Sequence, residues 1–409
     1  MLRNGGARFA RVWSIVLASS LLATAGWSQQ PSITWLGTLP DGWLSEAYGV
    51  SADGSVVVGC ATFRAFRWTA SGGMQDLGAL LGLSGSCASG VSADGSVVVG
   101  GGNNDSGQSR AFRWTLWSGV HDLGTLPGND NRYAHGVSAD GSVVVGTVWN
   151  AEWQYRAVRW TASGDIQDLG TLGGTKSEAY GVSADGSVVV GWAYNPAWQE
   201  RAFRWTASEG MQDLGVLPGY YYSRAYSVSG DGLTVVGWVN NITGQAHAFR
   251  WTALGGMQDL GTLGGSSSKA LGVSADGSVV VGWAHNTAEQ RRAFRWTATG
   301  AMEDLNTTYA NLLTNGSSLM EAHAISPSGR YIVGLGYNAS TRRSEAFLLD
   351  TGFPLRGDVD RNGCVDDTDL LQVLFAFGER GYRNEDLNWD GIIDDADLLE
   401  VLLNFGSGC

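Results

Sequence analysis

The chain has 409 residues, with 60 glycines against 7 prolines, 44% hydrophobic residues and 16% charged ones. Glycine without a three-residue period excludes a collagen-like chain, and ample apolar content with low charge excludes a disordered acidic one. The net charge is −13, and the absence of any basic patch argues against a nucleic-acid partner.

Arg3, Arg8 and Arg11 precede an apolar run over 12–25, and Ala23-Thr24-Ala25 follows the small-residue pattern of a cleavage site. Residues 1–28 are therefore expected to be a signal peptide. No later stretch is apolar for long enough to span a bilayer. The expectation is a secreted, extracellular chain in a compartment where disulfides persist.

Residues 31–350 are dominated by repeats. Gly49-Val-Ser-Ala-Asp-Gly-Ser55 recurs unchanged from Gly90, Gly136, Gly181 and Gly272, with diverged copies at Ser227 and Ala324. Seven units of about 41–52 residues match the period of propeller blades. One unit parses into four short strands. Asp53-Gly54 suits a hairpin turn. Val56-Val57-Val58 is apolar on consecutive positions, so both faces of that strand must be covered. The segment Ala65-Phe66-Arg67-Trp68 and the strand over 74–80 form the outer hairpin. A turn centred on residues 71 and 72 places Arg67 opposite Asp76, a cross-strand charge pair that recurs as Arg113/Asp122, Arg159/Asp168, Arg204/Asp213, Arg250/Asp259 and Arg295/Asp304.

The seventh unit stops after its third strand, and a spare strand stands at 33–39. The Asp position there is Trp35, and the Arg position in the last unit is Leu348. The two are expected to face each other, with the first strand completing the last blade and closing the ring. The predicted fold is an all-β seven-bladed β-propeller joined to a small α-helical module.

The Ala-Phe-Arg-Trp, Asp-Leu-Gly and Val-Ser-Ala-Asp-Gly segments resemble the HAF repeats of bacterial extracellular proteins. That resemblance covers nearly all of 31–350 and implies secretion and a repeat scaffold, but no reaction.

After a linker at 351–356, residues 357–409 hold thirteen acidic side chains against three arginines. Asp358, Asp360, Asn362, Asp366 and Asp369 fall at positions 1, 3, 5, 9 and 12 of a calcium loop, with the Cys364 backbone carbonyl at position 7 and Gly363 at the sharp turn. Twenty-eight residues on, Asp386, Asn388, Asp390, the Ile392 carbonyl, Asp394 and Asp397 repeat the set. Calcium is a hard cation that takes about 6–8 oxygens, so two Ca2+ ions are expected. Each loop runs into an apolar helix, at 370–377 and 398–405. With Asp rather than Glu at position 12 and Leu-Leu-x-Val-Leu helices, 357–409 resembles a type I dockerin. The resemblance implies a cohesin-like partner, chosen in part by loop positions 10 and 11. Here these are Asp367-Thr368 and Asp395-Ala396, a departure from the usual Ser-Thr.

Two cysteine pairs are candidate disulfides: Cys364 with Cys409 as a clasp on the tail, and Cys60 with Cys87 between adjacent blades. The blade aspartates and the tryptophans at 68, 114, 160, 205, 251 and 296 read as structural because they recur from unit to unit. Trp192, Trp238 and Trp283 are candidates for stacking on a carbohydrate ligand. His121, His135, His247, His285 and His323 are read as lying at different repeat positions, which argues against a metal site. No catalytic residues are assigned. The leading function is a scaffold that binds a ligand, docks through the tail and serves polysaccharide binding or degradation. An extracellular glycoside hydrolase or lyase is the alternative, with Glu46, Glu178, Glu200 or Glu321 as its source of carboxylates. A structural cell-surface repeat protein is the third reading.

Overall fold

The computed structural model describes residues 30–77 and 83–409; the expected signal peptide and the end of the 74–80 strand lie outside them. Seven four-stranded antiparallel sheets follow one another around a ring. In the first blade the strands are Ser45–Val50, Val56–Ala61, Arg64–Thr69 and Gly73–Asp76, from the inside out. The last sheet is completed by Ser32–Trp35, which pairs antiparallel with Arg343–Asp350. The chain is thus a seven-bladed β-propeller, shut by strands from opposite ends of the repeat region.

The sequence explains each layer. Val56, Val57 and Val58 are all buried, since a blade packs against neighbours on both faces. Phe66, Phe112, Phe203, Phe249, Phe294 and Phe347 take the same place in six blades and are essentially inaccessible. Each Val-Val-Val-Gly run ends in glycine because the inner strand presses against it. A Cβ on Gly59 would lie 1.9 Å from the Glu46 carbonyl oxygen, and one on Gly191 1.9 Å from that of Glu178. At the narrow end of the channel, backbone hydrogen bonds pass from blade to blade, such as Ala52 N to Ala93 O at 2.8 Å and Ala93 N to Ala139 O at 2.9 Å.

The outer hairpin differs from expectation by one residue. Phe66 pairs with Asp76, and Arg67 with Gln75. Thr69 pairs with Gly73 across a three-residue loop, and Gly73 takes φ +62°, so the turn is centred half a residue earlier than an even loop would place it. Asp76 therefore meets Arg64 at 3.0 Å rather than Arg67, and Asp213 meets Arg201 at 3.8 Å. The displaced arginines join blades instead. Arg67 lies over the Trp114 ring at 5.8 Å, and the Nε atoms of Arg204 and Arg250 donate to the Gly232 and Gly277 carbonyls at 3.3 Å. The same slip places Trp35 opposite Phe347, with Leu348 facing Thr34.

A one-turn helix, α1 (Leu305–Thr308), follows the sixth blade. The tail adds α2 (Asp367–Ala376) and α3 (Asp395–Asn404). Both tail helices begin three residues before the expected 370 and 398, because Asp366 and Asp394 form capping boxes with Asp369 and Asp397. Disulfides join Cys60 to Cys87, between blades one and two, and Cys364 to Cys409, between the first loop and the C-terminus.

Candidate functional site

The two tail loops fold alike. Asp369 Oδ1 accepts from the backbone N–H groups of Val359 (2.7 Å) and Asp360 (3.2 Å), and its Oδ2 accepts from Asp366 (2.9 Å). Asp397 repeats this with Leu387, Asn388 and Asp394 at 2.7, 3.2 and 2.9 Å. Asp358 and Asp386 each span the turn, their Oδ2 atoms accepting from Gly363 (3.0 Å) and Gly391 (2.9 Å). Carboxylate oxygens of Asp358, Asp360 and Asp369 lie within 4.8 Å of one another. Burial, reinforced by the neighbouring carboxylates, pushes Asp358 up to about 6 and Asp386 up to about 7. Buried like charges at this spacing are costly unless a cation joins them, and the donors are the hard oxygens that a calcium-sized ion takes.

The loops face the propeller. Residues at position 4 of each loop, Arg361 and Trp389, share φ +60°. Arg361 ion-pairs with Asp276 on a blade turn. Trp389 is 6% exposed, packs with Ala52, Ala93 and Ala275, and stands across the narrow end of the central channel. Segment 351–356 is also pinned: the Pro354 carbonyl accepts from Arg330 at 3.3 Å, and Arg356 donates to the Tyr331 hydroxyl at 2.6 Å. Leu371, Phe375 and Phe377 on α2 and just after it match Leu399, Leu403 and Phe405 on α3 and just after it, and all six are exposed. Asp367, Thr368, Asp395 and Ala396, at the helix starts, are exposed as well.

The wide end of the channel holds a feature the sequence did not announce. Every inner strand carries a bulge at the same place, after a fully buried alanine: Ala47/Gly49, Ala88/Gly90, Ala134/Gly136 and Ala179/Gly181 in the first four blades, and likewise in the remaining three. A bulge re-aims one side chain. The extra residues are Tyr48, Ser89, His135 and Tyr180, then Tyr226, Leu271 and His323, and all line one cavity of about 660 Å³. Tyr48 stacks on His323 across the closure of the ring, with centroids at 5.1 Å, and Tyr180 stacks on Tyr226 at 4.9 Å. His135 and His323 thus occupy equivalent positions, contrary to the sequence reading. The signal available was the alignment of the residue before each Gly-Val-Ser or its diverged copy.

The other candidates separate cleanly. Trp114, Trp160, Trp205 and Trp296 are buried between blades. Trp192, Trp238 and Trp283 offer no open stacking platform, being at most 8% exposed and interleaved with cations: Arg224 lies 4.6 Å from the Trp192 ring, Lys269 4.4 Å from Trp238, and Arg291 4.4 Å from Trp283. Glu46, Glu178 and Glu321 lie within the inner strands, two residues ahead of the bulge. The Tyr48 hydroxyl donates to Glu46 at 2.5 Å and that of Tyr180 to Glu178 at 2.8 Å, while Glu321 takes Arg291 and Glu200 takes Arg224.

No protein-family model and no curated protein matches the chain. Among solved structures it is similar to an oligogalacturonate lyase in complex with manganese, at 13% identity over 78% of this chain and 92% of that one, with a TM-score of 0.52. The β-propeller domain of the Trilobed protease from Pyrococcus furiosus matches at 10% identity over 76% and 95%, TM-score 0.49. A protein described as TolB from Agrobacterium tumefaciens matches at 16% identity over 56% and 88%, TM-score 0.44. The likeness to the lyase shows the propeller fold alone.

Proposed function

We propose that this chain is a secreted binding scaffold whose tail docks, in its calcium-loaded state, to a cohesin-like domain of another protein. The observation that carries the reading is the pairing of two matched loops with two matched apolar faces. The first loop gathers the carboxylates of Asp358, Asp360 and Asp369 around a common point, and the second repeats its internal hydrogen bonds. Ca2+ held there by Asp358, Asp360, Asn362, Asp366 and Asp369, and by their counterparts 28 residues on, would neutralise that charge and fix the starts of α2 and α3. Those helices leave Leu371, Phe375 and Phe377, with Leu399, Leu403 and Phe405, exposed. A paired apolar patch of this kind on a soluble surface marks an interaction site. The exposed Asp367-Thr368 and Asp395-Ala396 pairs sit where they would select the partner.

Calorimetry on the full chain tests both steps. Calcium is expected to give heat with a stoichiometry of two, abolished by chelation. A cohesin domain is expected to bind the calcium-loaded chain and not the chelated one. Absence of calcium heat defeats the reading; calcium heat without cohesin binding keeps the metal centre and removes the assigned partner.

A further inference from the structure

We infer that the wide mouth of the central channel is a binding site for an uncharged saccharide end, held against the bulge side chains. Three observations lead there, and they deepen the reading of the propeller as a binding scaffold.

The first is variation inside the repeat. Around each bulge, the alanine before it never changes and the residue after it is Gly, Ser or Ala, since both meet a neighbouring strand or blade. The bulge residue meets the cavity, and it alternates among Tyr, Ser, His and Leu. Packing between identical blades asks for one residue type at this position. An irregular set aimed at one shared space serves whatever fills that space.

The second is charge. No Asp, Glu, Lys or Arg lines the cavity, and the two ring nitrogens of the lining His323 are already taken, by the Ala47 carbonyl at 3.0 Å and by Glu321 at 3.3 Å. The nearby carboxylates of Glu46 and Glu178 are engaged by Tyr48 and Tyr180, and that of Glu321 by Arg291 and by His323 of the lining. A charged ligand would lose hydration here and meet no Asp, Glu, Lys or Arg in the lining. His135, enclosed between Tyr133 and Tyr180, stays neutral because burial lowers its pKa to about 4.

The third is the shape of the wall. Rings in contact run from Tyr133, tilted on His135, through the edge of His135 on Tyr180 to Tyr226, stacked on Tyr180, and from His323 to Tyr48, also stacked. The wall breaks where the next blade supplies Leu271 or Ser89. Among the described residues, Tyr226 and Tyr48 therefore each keep one face without an aromatic neighbour. Below them a ring of valines completed by Ile325 makes an apolar floor, and Trp389 shuts the far end. Aromatic side chains around the wall above an apolar floor match a sugar ring, which has C–H faces and a hydroxyl edge. The volume of about 660 Å³ falls in the range of small-molecule sites, roughly 300–1,000 Å³.

The test is calorimetry on the calcium-loaded full chain with a panel of neutral disaccharides (cellobiose, maltose, lactose and mannobiose), alongside digalacturonate and the glucosamine dimer as charged probes of equal size. At least one neutral disaccharide is expected to bind, with both charged dimers at least tenfold weaker. Tyr226→Ala should weaken binding at least tenfold. Leu271→Trp, which fills the mouth while leaving the packed faces alone, should block it with the melting temperature unchanged. Equal binding of a charged dimer, silence across the neutral panel, or binding that survives Leu271→Trp overturns the inference. Any of these leaves the calcium and cohesin titrations, which read the tail, unaffected.

Discussion

Both parts of this molecule are repeats, yet their repeated residues do opposite things. In the propeller, a recurring side chain reaches the next copy: Arg204 and Arg250 bond to the turn carbonyls of the following blade, and the recurring phenylalanines fill the space between sheets. In the tail, the recurring side chains converge within their own copy, as Asp358, Asp360 and Asp369 do. Repetition directed at a neighbour means packing. Repetition of like charges around a point calls for something to be held there.

The largest effect that would break this contrast is in the blades. Phe203→Ala should cost about 3–5 kcal/mol, the usual range for an aromatic removed from a packed core, measured by denaturant unfolding. A loss below about 1 kcal/mol would mean that the blades do not depend on that layer. On the tail side, Asp386→Asn should lower calcium affinity at its loop on the order of 100-fold, because ligand charge sets affinity in such loops. It should leave the unfolding of the propeller unchanged; a shift in both would show the two regions to be one cooperative unit.

A pH effect of intermediate size sharpens the account of the channel. His135 has a lowered pKa when folded, so on acidification the unfolded chain takes up this proton first. Its contribution to stability is intact above about pH 6.5 and is lost as pH falls toward 4, by roughly 1.4 kcal/mol per unit. His135→Gln should remove that component of the slope between pH 6.5 and 5; an unchanged slope would place the histidine in a wetter site.

The smallest effect tests the register. A double-mutant cycle on Arg64 and Asp76 should give a coupling of about 0.2–1 kcal/mol, the range of exposed ion pairs, while Arg67 and Asp76 should give none. Coupling in the second pair alone would restore the even turn.

Much of this was legible in the sequence because it is local and repeated. Seven copies of one segment, the spare strand at 33–39 that answers the fourth strand missing after 346–349, and the two-sided apolar Val-Val-Val runs determine a closed ring of seven blades. The acidic spacing in 358–369 and 386–397 determines two matched loops, since each donor set lies within twelve residues of its own chain. What the sequence left open depends on offsets of a single residue. An odd turn ending in Gly73 moved the arginines from their aspartates to the next blade, and one bulge per inner strand turned Tyr48, His135, Tyr180 and their equivalents into the channel. A bulge changes which way a side chain points without changing residue spacing, so no periodicity reveals it. The closing of the channel by Trp389 is likewise tertiary. Nothing along the chain links residue 389 to Ala52, Ala93 and Ala275; only the docking of a folded tail on a folded ring brings them together.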